Sequence, residues 1–118
     1  MKVKLVVMTV SAMLLFGGGV TAHERKEGIL IDTACGKRLA ESPGEAMSHQ
    51  VSCSLEEECA KNGYGVIVDG RFFKFDKMGN KLATIILKNT DKKEGVRVRV
   101  DGHFDSYIIS PAILEPID

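Results

Sequence analysis

Cys35, His49, Cys53 and Cys59 are the residues whose types and spacing could do chemistry here. Thiols in an oxidising compartment pair as disulfides, and three thiols make at most one internal bridge with one left over. If the chain between Cys53 and Cys59 is helical, the two fall on different faces and cannot reach disulfide geometry, which wants Cα atoms about 4.4 to 6.8 Å apart. Cys35 is then the partner, and a Cys35–Cys53 or Cys35–Cys59 bridge would stabilise by roughly 2 to 4 kcal/mol. A soft-metal site is the alternative. Cys35, Cys53 and Cys59 with His49 make a Cys₃His set, the ligand type and number that Zn²⁺ takes in closed sites, and thiolates also suit Cu⁺. His49 and Cys53 are spaced i, i+4, which puts them on one face of a helix. No Cys-x-x-Cys clip is present, so the spacing lies outside the usual zinc patterns. Thiol catalysis is a third reading, and the charge around Cys59 opposes it. Glu56, Glu57 and Glu58 precede that thiol and raise its pKa, whereas reactive thiols sit near positive charge.

The remaining candidates are weaker. If the chain is cut before His23, the new amine and the His23 imidazole together could chelate copper, given a second imidazole from His49 or His103. Otherwise His23 is a solvated terminus, and His103 a strand residue at the rim. Arg71, Lys74, Arg97 and Arg99, interleaved with Tyr64, Phe72, Phe73, Phe75, Phe104 and Tyr107, could form a basic aromatic face of the kind that binds single strands, although such charges are ordinarily the wet side of a sheet. No nucleophile-elbow triad, no paired carboxylates in an evident cleft and no phosphate-binding glycine loop occur, so the domain reads as non-enzymatic.

The elements that must position these residues follow from pattern. Gly28 to Asp32 reads as a strand, preceded by a polar, frayed stretch from His23. Thr33 to Gly44 reads as a loop, punctuated by Gly36, Pro43 and Gly44. Ser54-Leu55-Glu56-Glu57 fits a capping box for a short helix from Leu55 to Lys61 that stops at Gly63. If that helix extends upstream, Val51, Leu55 and Cys59 share a stripe and Cys59 is buried. Tyr64 to Val68, Asp69-Gly70 and Arg71 to Phe75 make a hairpin, since Asp-Gly supplies the positive φ angles of a two-residue turn. After a turn at Asp76 to Asn80, Leu82, Ile85, Ile86 and Asn89 mark a helix over Lys81 to Asn89. Val96 to Val100 alternates apolar and charged residues as a strand does. A last strand, about Tyr107 to Leu114, carries Pro111 at an edge or bulge. The fold class is β-rich with minor α, and the order β, short α, β, β, α, β, β is that of a small five-stranded OB-like barrel.

Several of these pieces carry a resemblance. Gly28-Ile29-Leu30-Ile31-Asp32 with Cys35, the His49, Cys53 and Cys59 run, Gly63-Tyr64-Gly65-Val66, Phe73-Lys74-Phe75-Asp76 and Val98-Arg99-Val100-Asp101-Gly102 resemble small exported bacterial OB-fold-like proteins. The likeness spans nearly the whole chain after residue 22. It implies the fold and the compartment, and it brings no catalytic residue.

The first residues bound the compartment independently. Lys2 and Lys4 precede an apolar run from Leu5 to Phe16, and Val20-Thr21-Ala22 has the small-residue pattern of a cleavage site, so 1–22 reads as a signal peptide. The run falls short of the roughly 20 residues that span a bilayer, and no lipoprotein cysteine follows it. The expected mature chain begins at His23, is a single domain over 23–118, and is periplasmic or secreted with no stable membrane anchor. Of 118 residues, 22 are removed and 96 remain, a size at which a covalent or metal staple helps noticeably. The sequence holds 16 basic and 16 acidic residues, and losing two lysines leaves a net charge of −2. That near-neutral balance excludes the electrostatic footprint of a nucleic-acid binder. The expected partner is a protein or small ligand of unknown identity.

Overall fold

A computed structural model describes residues 23–117. The expected signal peptide lies outside the described residues. Ten elements follow in order: β1 (His23–Asp32), α1 (Thr33–Leu39), α2 (Pro43–Met47), α3 (Val51–Ser54), α4 (Glu57–Lys61), β2 (Tyr64–Val68), β3 (Arg71–Phe75), α5 (Lys77–Asn89), β4 (Arg97–Phe104) and β5 (Ile108–Pro116). The molecule is strand-rich, as expected, and its five strands form one sheet in the order β1-β2-β3-β5-β4, with β4 returning to β1 to close a barrel. Every pairing is antiparallel except β3 with β5.

The interior is filled by alternate residues of the strands and by one face of α5. Leu30, Tyr64, Val66, Phe73, Phe75, Val98, Val100 and Ile109 meet Ala83 and Leu87 there. The alternation read over Val96 to Val100 holds, with Val98 and Val100 fully buried between half-buried Arg97 and Arg99. The hairpin also stands as read: Asp69 and Gly70 have φ of 49° and 79°, which suits a two-residue turn between right-twisted strands.

A second, smaller core lies outside the barrel. Ile29, Ile31 and Ile67 face outward from β1 and β2 and are covered by Leu39 of α1 and Ala46 of α2. Both faces of β2 and of the last four residues of β1 are therefore buried, which is why Ile29-Leu30-Ile31 is a continuous apolar run rather than an alternating one.

Several boundaries differ from the sequence reading; β4 runs on past Val100 to Phe104, and β5 is Ile108–Pro116. The stretch from His23 is paired strand, opposite β4 from His103 to Arg97. Thr33 to Gly44 contains α1 and the start of α2, because Asp32 caps α1 by accepting from the Cys35 amide. Gly36 lets α1 lie close on the sheet, since a Cβ there would clash with the Phe72 ring. The expected capping box does not form. Ser54 ends α3, its hydroxyl bonds Asp32 instead, and a separate helix starts after Glu56 with no side-chain cap. The interruption also breaks the Val51, Leu55, Cys59 stripe. Finally, α5 begins at Lys77 and not Lys81, because Asp76 accepts from the Gly79 amide at 2.8 Å. Asn80, read as a turn residue, sits inside the helix and accepts from the Tyr64 amide. Among the described residues, no helix is long and apolar enough to cross a membrane.

Candidate metal centre

The end of β1 and the helical segment after it build one polar cluster. Asp32, the last residue of β1, has a fully buried side chain, and three donors converge on its carboxylate. Oδ2 accepts from the Cys35 amide at 3.0 Å. Oδ1 accepts from the Ser54 hydroxyl at 2.8 Å and from His49 Nε2 at 2.9 Å. Burial alone would raise this carboxyl, but the bonds from Cys35, Ser54 and His49, with the charge of His49, outweigh it and hold its pKa below the ordinary value. An ionised carboxylate only accepts, so Nε2 of His49 carries the proton. Behind this cluster the buried Tyr64 hydroxyl donates to the Ser54 carbonyl at 3.0 Å. Burial, then the charges of Asp32 and Cys59, push the Tyr64 hydroxyl up.

Each member is placed by a different local cause. Asp32 is where the chain leaves the barrel and α1 begins, which sets its carboxylate against the amide three residues on. His49 follows α2, and its amide bonds the Ala46 carbonyl. The next segment is fixed by a bond from the Val51 amide to the Lys93 carbonyl and by the bridge between Gln50 and Glu94. Ser54 then reaches inward from the end of α3.

Of the four residues singled out by type and spacing, the structure brings Cys35 and His49 together, with Asp32 as the third member. One ligand atom from each of Asp32, Cys35 and His49 lies within 4.8 Å of the others. Cys53 is exposed and Cys59 half-buried, and neither belongs to that tight group. Cys59 is still close enough to respond to it. Burial pushes its thiol up first, and the charges of Asp32, Cys35, Glu56 and Cys53 add to the rise. The expected bridge from Cys35 to Cys53 or Cys59 is not formed, and all three thiols are free. In the sequence Asp32 marks only a strand end. An Asp three residues before a cysteine, at a helix start, is the signal that places both beside one another.

This donor set fits a borderline divalent cation. Four-coordinate Zn²⁺ binds S, N and O at about 2.0–2.3 Å, which puts neighbouring ligand atoms roughly 3.3–3.8 Å apart. The Asp32–His49 pair at 2.9 Å would open by a few tenths of an ångström to admit the ion, and Cys35 would close by up to about an ångström. Thiol catalysis fits poorly. Burial pushes the Cys35 thiol up, the Arg38 guanidinium at 3.5 Å opposes this, and the Asp32 carboxylate adds to the rise. An activated nucleophile needs the reverse.

The expected basic aromatic face is divided. Arg97 and Arg99 of β4 are bridged to Glu27, and Arg99 also to Glu115. Arg71 lies over the Phe73 ring, 5.1 Å from its centroid, and donates to the Ser106 carbonyl. With Lys37 and Lys74 it borders a groove of about 490 Å³ beside Phe72, Tyr107 and Ile108, away from β4. Comparison with protein-family models, curated proteins and solved structures finds no match to this chain.

Proposed function

We propose that this protein is a non-enzymatic, exported, OB-like module that holds a Zn²⁺-class ion through Asp32, Cys35 and His49. The carrying observation is the convergence of one carboxylate, one thiol and one imidazole within 4.8 Å. A divalent ion replacing the Nε2 proton converts the Asp32–His49 hydrogen bond into two metal–ligand bonds. Ionisation of Cys35 supplies the third, and Cys59 is the candidate fourth ligand. The carboxylate favours Zn²⁺ over Cu⁺, which prefers an all-sulfur environment. The closed strand order, with α5 between β3 and β4, supports the OB-like reading. In a chain this small the ion would serve as the staple that joins the helical segment to the barrel. Periplasmic or secreted placement rests on the leader sequence, and the partner would be a protein or small ligand.

The test is metal-dependent stability in reducing buffer. At Zn²⁺ about a hundredfold above its Kd, binding to the folded state alone adds about 2.7 kcal/mol. That raises the Tm of a domain this size by roughly 10–20 °C. Cys35→Ser and His49→Ala should abolish the rise and Cys59→Ser should reduce it. An unchanged Tm and a native mass without metal would overturn the proposal. If the exported protein instead weighs two hydrogens less than its reduced form and binds no metal, a disulfide is the staple.

A further inference from the structure

A different set of donors meets at the opposite end of β1. The register of β1 on β4 sets His23 directly opposite His103, and Arg25 opposite Asp101. Outward residues of the two strands are already engaged in pairs. Glu27 meets Arg97 and Arg99 at 3.3 and 3.5 Å, Arg25 meets Asp101 at 3.5 Å, and His23 Nδ1 lies 3.6 Å from Asp101 Oδ1. By alternation along β4, His103 shares the outer face with Asp101; His23 already approaches that carboxylate, and the His103 ring would turn in to join them, since these three do not yet converge as Asp32, Cys35 and His49 do. Directly opposed residues have Cβ atoms about 4.5–5.5 Å apart, a separation two imidazoles on one metal can span.

Cleavage after Ala22, the site marked by the leader sequence, would leave His23 with a free α-amine. That amine and the Nδ1 of the same residue close a chelate ring on one metal. We propose that the mature amino terminus is a Cu²⁺ site built from the His23 α-amine, His23 Nδ1, one His103 ring nitrogen and Asp101. Three nitrogens and one oxygen in a tetragonal arrangement suit Cu²⁺, which also heads the affinity order of the divalent metals. Binding releases the proton of the amine. Asp32 lies nine residues further along β1, roughly 30 Å at about 3.3 Å per residue, so this site is independent of the thiol cluster. It rests on the cleavage position and not on the Zn²⁺ proposal.

The test uses the full chain, exported with its own leader and purified, with its first residue read by mass spectrometry and its thiols alkylated. Cu²⁺ alone is then titrated by calorimetry and electron paramagnetic resonance. One equivalent should bind, with hyperfine coupling to three nitrogens. Affinity should fall at least about tenfold, or about 1.4 kcal/mol, in His103→Ala and in a form whose uncleaved, histidine-free extension converts the amine to an amide. His103→Gln, checked by circular dichroism, covers the case in which the alanine variant does not fold. Cu²⁺ affinity unchanged in the folded His103 variant and in the extended form would overturn the proposal. So would a mature chain that begins at any residue other than His23. Cys35→Ser should leave Cu²⁺ binding intact while removing the Zn²⁺ effect, so the two proposals fail separately.

Discussion

Replacing Asp32 with Asn takes one acceptor away from three converging donors, whichever way the amide is turned. With its oxygen toward Ser54 and His49, the amide NH₂ faces the Cys35 N–H; turned over, it faces the hydroxyl and the imidazole. At least one donor is orphaned in either case (one in the first orientation, two in the second), and the charge that strengthened the remaining bonds is gone. A hydrogen bond to a charged group is worth about 1.5–3 kcal/mol, and an orphaned buried donor costs about 1–3. The sum, about 3–5 kcal/mol, matches what breaking a buried charge pair costs and is a large share of a total near 5–15 kcal/mol. Urea unfolding in EDTA, which removes any metal contribution, should show the midpoint falling with little change in slope. The Tm should drop by roughly 12–40 °C. The pH dependence follows from the lowered pKa. The carboxylate's contribution is fully present above the ordinary value of 3.8 and is lost as pH falls through the lower folded-state value. Asp32→Asn should therefore flatten the acid limb of the stability profile. A loss below about 1 kcal/mol, with the acid limb intact, would refute the claim that this carboxylate ties the helical segment to β1.

Three further outcomes are expected. Thr33 Oγ1 is buried with no hydrogen-bond partner, so Thr33→Val should be neutral or stabilise by about 1 kcal/mol in chemical denaturation; destabilisation would mean that the hydroxyl has a partner. Gly36→Ala drives a methyl group into the Phe72 ring and should cost about 1–3 kcal/mol by the same assay, as overpacking does. Brief alkylation of the reduced, metal-free protein should label exposed Cys53 ahead of half-buried Cys35 and Cys59, both of whose thiols are pushed up; peptide mapping that finds Cys35 first would show an activated thiol there.

The barrel strands were legible because local pattern and tertiary demand agree in them. Asp69-Gly70 turns the chain wherever it is placed, and the alternation of Val98 and Val100 with arginines states which face is buried. The helical segment was less legible because its polar side chains serve distant partners. Ser54 looks like a cap for the residues after it, but its hydroxyl serves an acceptor 22 positions earlier. Asn80 has the look of a turn residue and instead satisfies a strand amide 16 positions away. The tight trio illustrates the same limit. Cys35 and His49 were visible by type, whereas Asp32 was hidden because its value comes from burial, which sequence pattern does not display.

The pairing of β1 with β4 bears on the order in which the fold can form. Seven residue pairs join the described chain's first strand to one beginning more than 60 positions later. A chain emerging amino end first, from a ribosome or a translocation channel, can form the β2–β3 hairpin early but leaves β1 with one edge bare. That edge is covered only once β4 has emerged, and the ring closes only with β5. Contacts of such long sequence separation fold slowly, because loop closure comes before the reward. The barrel therefore cannot close until the chain through β5 is free.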